Sequence, residues 1–116
     1  MKIGIVGAGQ MGKQLAIVFS ALGDVVLISR DISKADAELK RSLRLAKRSS
    51  FISEVGKFEI SLANDYSDLS SCELVIEAVS ESLKTKQIVL KQIVKHVMSS
   101  CVIGTNTSTL SITALS

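Results

Sequence analysis

The feature that most constrains this chain of 116 residues is a glycine-rich turn close to its first residue. Residues 3–6, with the sequence Ile-Gly-Ile-Val, are too continuously apolar for a half-exposed strand, so we expect a strand that is covered on both faces. Gly7, Gly9 and Gly12 follow at once, and apolar residues then recur at helical spacing. The residues expected on the buried face of this helix are Met11, Leu15, Val18, Phe19 and Leu22.

Each of the three glycines has a separate physical role in such a turn. Gly7 would allow the tight turn, Gly9 would let a pyrophosphate approach the backbone, and Gly12 would let the helix lie close to the strand. The free N–H groups and the positive dipole end of the helix suit a phosphate. A turn built for packing alone does not explain the spacing. We therefore predict a dinucleotide site made by the whole turn: Gly7, Ala8, Gly9, Gln10, Met11 and Gly12.

The rest of the chain alternates apolar strand-like runs with helical patterns. We predict further strands at 25–28, 58–62, 74–76 and 101–103, and a helix over 83–98. Ser33 is expected to cap the second helix, with Asp36 three residues later. This order predicts an α/β fold of the Rossmann type, a doubly wound parallel sheet, with residues 1–116 as one dinucleotide-binding domain.

Composition excludes several classes of function. Aromatic residues make up 3% of the chain, which argues against base stacking on nucleic acid. No apolar run approaches the length of a membrane span, and a strand begins where a signal peptide would lie. Cys72 and Cys101 have no motif spacing, so we expect buried, reduced thiols in a cytoplasmic protein. No zinc spacing is visible, and no metal site is predicted.

Much of the basic excess behind the net charge of +3 lies in the second predicted helix. Its basic residues are Lys40, Arg41, Arg44, Lys47 and Arg48. They have two interpretations that the sequence leaves open. They form a solvated helix face, or they form a surface that meets an anionic substrate such as a phosphorylated carrier.

In open parallel sheets the ligands lie beyond the carboxyl ends of the strands, so the polar residues there are candidates. Asp31 lies near the expected spacing from the glycines for an acid that binds the adenosine ribose, which selects NAD. Ser29 and Arg30 precede it and would instead accommodate a 2′-phosphate, which favours NADP. A charge at a helix N-terminus is the alternative for Asp31. NAD is the expected cofactor, with NADP left open.

Two further segments follow strands. Glu77 ends an apolar strand and needs a partner, because a lone buried charge is costly. Glu81 and Lys86 are either helix-entry charges or residues that line a cofactor. Residues 106–109 either cap a helix or offer donors to a nicotinamide and its substrate. His96 is the only histidine and is expected at a helix C-terminus, so no general base for hydride transfer is visible.

Three segments together resemble one known family. They are the glycine turn, Leu-Val-Ile-Glu-Ala at 74–78, and Asn-Thr-Ser-Thr-Leu-Ser-Ile-Thr at 106–113. They are similar to the N-terminal NAD-binding domain of the 3-hydroxyacyl-CoA dehydrogenases, the 3-hydroxybutyryl-CoA dehydrogenase branch included. The resemblance implies an NAD-dependent oxidoreductase of fatty-acid-type metabolism that interconverts L-3-hydroxyacyl and 3-oxoacyl thioesters.

The resemblance also implies roles for individual residues. Ser108 would hydrogen-bond the substrate 3-oxygen and lie against the nicotinamide. Glu81 and Lys86 would contact the cofactor. The loose counterparts of the family's coenzyme A contacts are Ser42, Lys47 and Arg48.

The chain differs from the family pattern in its length and in the segment 32–62. The family's catalytic His and Glu, and the helical domain that completes the substrate cleft and the homodimer, come after residue 116. We therefore expect a truncated enzyme that is inactive alone. The short segment 32–62 makes an acyl-carrier thioester an alternative to acyl-CoA. A dehydrogenase of a free 3-hydroxy acid and a non-catalytic dinucleotide-binding module are also compatible with the sequence.

Overall fold

The computed structural model describes residues 1–49, 58–79 and 82–105, with side chains in the first range up to residue 46. Strands and helices alternate along these residues in the predicted order. The elements are β1 Lys2–Val6, α1 Gln10–Phe19, β2 Asp24–Ile28, α2 Ile32–Ser49, β3 Ile60–Ala63, a 3-10 helix Tyr66–Leu69, β4 Leu74–Glu77, α3 Leu83–His96 and β5 Val102–Thr105.

The five described strands form one parallel sheet in the order β3-β2-β1-β4-β5. This is the predicted doubly wound Rossmann arrangement. The sheet is buried on both faces, because apolar clusters lie on each side of it. One contains Ile3 and Ile5 with residues of α1 and α2, and the other contains Val75 with Val89 and Ile93 of α3. The prediction that β1 is covered on both faces is confirmed.

The predicted buried face of α1 was only partly right, because Leu15 and Phe19 pack against the core but the other three residues do not. Met11, Val18 and Leu22 are all more than two-fifths exposed, whereas Ala16 and Ile17 are buried. The close contact between Gly12 and the turn before α1 sets the rotation of the helix, and Ala16 and Ile17 then face the core. The third strand also begins two residues later than predicted and ends at Ala63.

The strand order decides where a ligand can bind. β1 has β2 on one side and β4 on the other; the connection after β1 leads to β2, whereas the connection after β4 leads in the opposite direction, to β5. A crevice therefore opens above β1, which is where open α/β sheets bind their ligands. The glycine turn lies at this point.

Candidate functional site

The glycine turn has the backbone that its sequence predicts. Gly7 has a φ of +109°, a conformation that side chains rarely adopt. A Cβ atom on Gly12 would overlap the carbonyl oxygen of Gly7, so only glycine lets α1 start at this distance. Gly9 is different, because a Cβ atom there would meet no atom within 4 Å. The space over Gly9 is therefore open, at the N-terminus of α1.

A cleft of about 540 Å³ lies above the carboxyl ends of β1 and β2. Gly7, Ala8, Gly9 and Gln10 line it, whereas Met11 and Gly12 do not. The other lining residues come from strand ends, from the segments after them and from helices: Val6, Lys13, Ile28, Ser29, Arg30, Asp31, Lys34, Ala35, Glu38, Asn64, Tyr66, Ala78, Val79 and Val89. The two predicted determinants of cofactor choice, Arg30 and Asp31, are thus in one cleft with the glycine turn.

Asp31 has a structural task beside its predicted one. Its Oδ1 accepts a hydrogen bond of 3.1 Å from the Lys34 backbone N–H, so Asp31 caps α2. Ser33 was the predicted cap, and this was wrong because α2 begins one residue before it, at Ile32. Ser29 Oγ in turn accepts a bond of 3.2 Å from the Asp31 backbone N–H. The side chain of Asp31 is exposed to the cleft, with Arg30 next to it.

Lys13 was not identified from the sequence as a site residue. It is 5% exposed, lines the cleft, and forms an ion pair with Glu38 of α2. The hydrogen bond from Lys13 lowers the pKa of the Glu38 carboxyl below its ordinary value. This pair joins α1 to α2 beside the turn. The sequence shows only that Lys13 directly follows the third glycine. It does not reveal the ion pair, because the partner Glu38 lies on another helix.

Tyr66 is a second lining residue that sequence reasoning missed. Its ring stacks on the imidazole of His96, with centroids 6.0 Å apart and an angle of 23° between the rings. The Asp65 carboxylate accepts a bond of 2.9 Å from the Ser67 N–H, which fixes the 3-10 helix that Tyr66 begins. Burial raises the pKa of Tyr66, and the charge of Arg30 opposes this rise. Tyr66 is therefore an ordered aromatic wall of the cleft.

Glu77 has the partners that its burial requires. Lys86 Nζ donates to its Oε2 at 3.0 Å, and Thr105 Oγ1 donates to its Oε1 at 2.6 Å. Lys86 is itself 6% exposed and donates also to the Val79 carbonyl oxygen. Lys86 therefore faces Glu77, behind the residues that line the cleft. Its predicted contact with the cofactor stays a prediction.

Of the five remaining predicted residues, only Ser42 has a side chain in the described part of the chain. Ser42 is half-buried on α2 and is not one of the residues that line the cleft. The backbones of Lys47 and Arg48 belong to α2, but their side chains lie outside the described part of the chain. Glu81 and Ser108 also lie outside the described residues. The predicted roles of these five residues stay predictions.

Other groups that could carry chemistry are placed away from the turn. His96 ends α3, as predicted, and its Nδ1 shares a hydrogen bond of 2.8 Å with the Gln92 carbonyl oxygen. Cys72 is buried and Cys101 is half-buried, and both are free thiols. Residues 1–49, 58–79 and 82–105 contain no group of three metal-ligating side chains. No helix in that part of the chain is long and apolar enough to cross a membrane.

The cleft fits a dinucleotide. The open space at Gly9 admits a pyrophosphate to the N-terminus of α1, where N–H groups lack helical partners. Asp31 offers a carboxylate to a ribose at the end of β2. A cleft of about 540 Å³ is within the ordinary range for cofactor sites.

Comparison with known proteins agrees with this geometry. Residues 2–116 match the family model described as "3-hydroxyacyl-CoA dehydrogenase, NAD binding domain". The chain is 34% identical over 124 residues to a 3-hydroxybutyryl-CoA dehydrogenase of Clostridioides difficile, covering 99% of this chain and 44% of that protein. It is 30% identical over 122 residues to a probable 3-hydroxybutyryl-CoA dehydrogenase of Deinococcus radiodurans, with the same two coverages. The chain thus spans less than half the length of these curated relatives.

Solved structures show the same likeness. The (S)-3-hydroxybutyryl-CoA dehydrogenase of Ralstonia eutropha superimposes with a TM-score of 0.83 at 31% identity, covering 98% of this chain and 43% of that one. The dehydrogenase part of a multifunctional enzyme of C. elegans gives a TM-score of 0.86 at 28% identity, over 98% of this chain and 28% of that one. The fold of these structures extends over nearly the whole of this chain.

Proposed function

Because this chain belongs to the family of NAD-binding domains of the 3-hydroxyacyl-CoA dehydrogenases, we propose that it is the cofactor-binding part of an enzyme that interconverts L-3-hydroxyacyl and 3-oxoacyl thioesters of CoA. Its cofactor is NAD. The observation that carries the proposal is that the open turn at Gly9 and the carboxylate of Asp31 share one cleft. The 3-hydroxybutyryl-CoA dehydrogenases among its relatives support the substrate class.

The described residues supply the groups that would bind NAD in such a reaction. Backbone N–H groups at the start of α1 would bind the pyrophosphate, and Asp31 would accept hydrogen bonds from the adenosine ribose. Bound NAD supplies the acceptor for the hydride that leaves C3 of the hydroxyacyl group. The adenosine half then lies toward β2 and β3, and the reacting half lies toward β4 and β5.

We further propose that Ser108 hydrogen-bonds the 3-oxygen of the substrate. The support is its place in the chain, three residues after Thr105 ends β5, together with the resemblance of its segment to the family. The 3-hydroxyl proton must leave to a base as hydride leaves C3. By the same resemblance, that base would be a histidine of the longer polypeptide, oriented by a glutamate.

The test is reduction of acetoacetyl-CoA by the full-length protein that carries this chain, with NADH and with NADPH. We expect Ser108→Ala to lower kcat/KM on the order of 100-fold, since it removes one donor to a developing charge. The KM for NADH should stay within about twofold. Ser111→Ala, three residues away, is the matched control and should keep wild-type kinetics. A Ser108→Ala enzyme as active as wild type would remove Ser108 from the mechanism.

The identity of the thioester carrier is a finer part of the proposal. We propose CoA, with an acyl-carrier protein as the alternative that α2 favours. Arg41 and Arg44 are exposed on α2, and Lys40 pairs with Asp36 at 3.0 Å. Acetoacetyl groups on CoA and on carrier protein can be compared directly. An Arg41→Glu, Arg44→Glu variant should lose activity mainly with carrier protein, since a protein surface meets more of α2 than a small molecule does.

Two properties of the whole protein complete the proposal. We propose a homodimer, which the resemblance to the family supports, and sedimentation of the full-length protein would test it. We also propose a cytoplasmic location, supported by the two free thiols. Cell fractionation would test this second point. If the full-length protein binds NAD and reduces none of these substrates, the non-catalytic binding module becomes the better function.

A further inference from the structure

Glu77 is a fully buried carboxylate with a complete set of partners. Its Oε1 accepts from Thr105 Oγ1 at 2.6 Å, and its Oε2 accepts from the Val79 N–H at 2.5 Å and from Lys86 Nζ at 3.0 Å. Its exposure is 0%, and that of Lys86 is 6%. In the described part of the chain, every buried side-chain nitrogen or oxygen has a partner. Glu77 is therefore committed to internal bonds.

Such a network is not explained by stability alone. Desolvation of a buried ion pair offsets most of the attraction within it, and an apolar pair of the same size is often as stable. A satisfied buried polar network does, however, define one arrangement of the groups it joins. The position of Glu77 therefore suggests that its task is to hold other groups in place.

The groups that Glu77 joins belong to three elements. Glu77 and Thr105 are register partners at the ends of β4 and β5. Lys86 lies in the first turn of α3, and its second bond goes to the Val79 carbonyl oxygen. Val79 lines the cleft, whereas Glu77 lies behind it. The network thus ties the start of α3 and the end of β5 to the backbone that forms one wall of the cleft.

This wall belongs to the reacting half of the cofactor site. Asp31 after β2 marks the adenosine side, and the dinucleotide crosses the sheet at the glycine turn above β1. The nicotinamide must then extend toward β4 and β5. Thr105 is also the last described residue before the segment that contains Ser108.

We propose that Glu77 is a positioning residue that fixes the carboxyl ends of β4 and β5, through Lys86 and Thr105, at the nicotinamide end of the cleft. The proposal rests on the proposed function, because it needs NAD in this cleft. It requires that weakening the network disturbs the reacting half of the cofactor and leaves the adenosine half unchanged.

The sharpest variants are at Thr105, since they change the hydroxyl that donates to Glu77 and leave the ion pair between Glu77 and Lys86 intact. Thr105→Val keeps the shape and removes the hydroxyl, whereas Thr105→Ser keeps the hydroxyl and is the rescue control. In the full-length protein we expect Thr105→Val to lower kcat about tenfold and to reduce the fluorescence enhancement of bound NADH. The Kd for ADP, which occupies only the adenosine half, should stay within about twofold. Thr105→Ser should restore both readouts.

Glu77→Gln is the stronger disturbance, because it places an amide N–H₂ group against the donors of Lys86 or Val79. We expect a larger loss of kcat and of NADH fluorescence, again with ADP binding kept, at temperatures below the measured unfolding midpoint. If Glu77→Gln does not fold, the comparison of Thr105→Val with Thr105→Ser still tests the proposed role of the network.

Two results would overturn the proposal. One is a Thr105→Val protein with wild-type kcat and NADH fluorescence. The other is an equal loss in Thr105→Val and Thr105→Ser, which would point to steric fit rather than to the hydrogen bond. Failure of the proposed function looks different, because the wild-type protein itself would then show no thioester activity. In that case, NADH fluorescence and ADP binding still test the network.

Discussion

The carbonyl oxygen of Gly7 occupies the place where a Cβ atom on Gly12 would have to lie. The first helix therefore starts in direct contact with the backbone of the turn before it. Gly9, between the two, faces open space. The three glycines of one motif thus have different tasks, two of them structural and one of them an approach route for a ligand.

This difference predicts opposite phenotypes for two alanine variants. Gly12→Ala should lower the free energy of unfolding by about 1–3 kcal/mol, because α1 has to move away from Gly7. Gly9→Ala should unfold within about 0.5 kcal/mol of wild type and yet bind NAD at least about tenfold more weakly, since its methyl group enters the phosphate space. Urea denaturation and titration calorimetry measure the two effects. Wild-type NAD affinity in Gly9→Ala would contradict this assignment.

Asp31 combines a helix cap with the carboxylate that discriminates between cofactors, and two variants separate these tasks. Asp31→Asn should keep the cap on the Lys34 N–H, because Asn caps as well as Asp, and it should lower the preference for NAD over NADP about tenfold. Asp31→Ala should lose about 1 kcal/mol of stability as well. Calorimetry with both cofactors and thermal unfolding provide the measurements.

Arg30 is the matched test for the phosphate of NADP. If Arg30 binds that phosphate, Arg30→Ala should weaken NADP binding and leave NAD binding unchanged. Unchanged affinity for NADP would rule out Arg30 as a phosphate ligand. If Asp31→Asn keeps the wild-type ratio of NAD affinity to NADP affinity, Asp31 only caps α2 and does not select the cofactor.

Tyr66 is expected to contact the adenine ring, because it follows β3, which lies beside β2, and Asp31 comes three residues after β2 ends. Tyr66→Ala should weaken both NAD and ADP about tenfold, which is about 1.4 kcal/mol and within the range for a base stacked on an aromatic ring. Tyr66→Phe should keep most of the affinity. Nicotinamide mononucleotide, which has no adenine, should bind all three proteins alike.

Phe58 provides the control for Tyr66, because it precedes the amino end of β3, whereas Tyr66 follows the carboxyl end, and Phe58 does not line the cleft. Phe58→Ala should bind NAD and ADP as the wild-type protein does. If Phe58→Ala and Tyr66→Ala lose the same affinity, the effect of Tyr66 is on folding and not on adenine.

The thiol of Cys72 predicts a pH dependence of stability. Burial among apolar side chains raises its pKa from 9.0 to about 11. Above pH 9 the unfolded chain loses this proton first, so the free energy of unfolding should fall as the pH rises toward 11. The slope from this one group is at most about 1.4 kcal/mol per pH unit. Below pH 9 the thiol is protonated in both states and contributes no pH dependence.

The contribution of Cys72 is measured as the difference between wild type and Cys72→Ala in urea denaturation at pH 8 to 10.5. The difference should shrink with rising pH, whereas the contributions of all other groups are common to both proteins and cancel. Cys101→Ala, which removes the half-exposed thiol, should show a smaller change. A constant difference across this range would show that Cys72 does not titrate differently in the folded state.

Much of the fold was predictable because its signals are local. The glycine spacing, the continuous apolar run of β1 and the alternation of strands and helices each depend on neighbours in the chain, and all predicted the observed sheet. Glu77 was also predictable as a group in need of a partner, since burial of a lone charge is costly wherever it occurs. The face that α1 buries was predictable only in part, because the close contact between Gly12 and Gly7 sets the rotation of the helix.

The sequence by itself determined the class of fold, the place of the dinucleotide turn and the family, because these depend on residue types at short spacings. Only the tertiary structure decided which distant residues meet: Lys13 with Glu38, Tyr66 with His96, and Glu77 with Lys86 and Thr105. The physical reason is that the strand order brings β1 between β2 and β4, so that neighbours in the cleft are far apart along the chain. A contact between residues that are distant along the chain produces no periodic pattern in the sequence, so sequence patterns do not predict it.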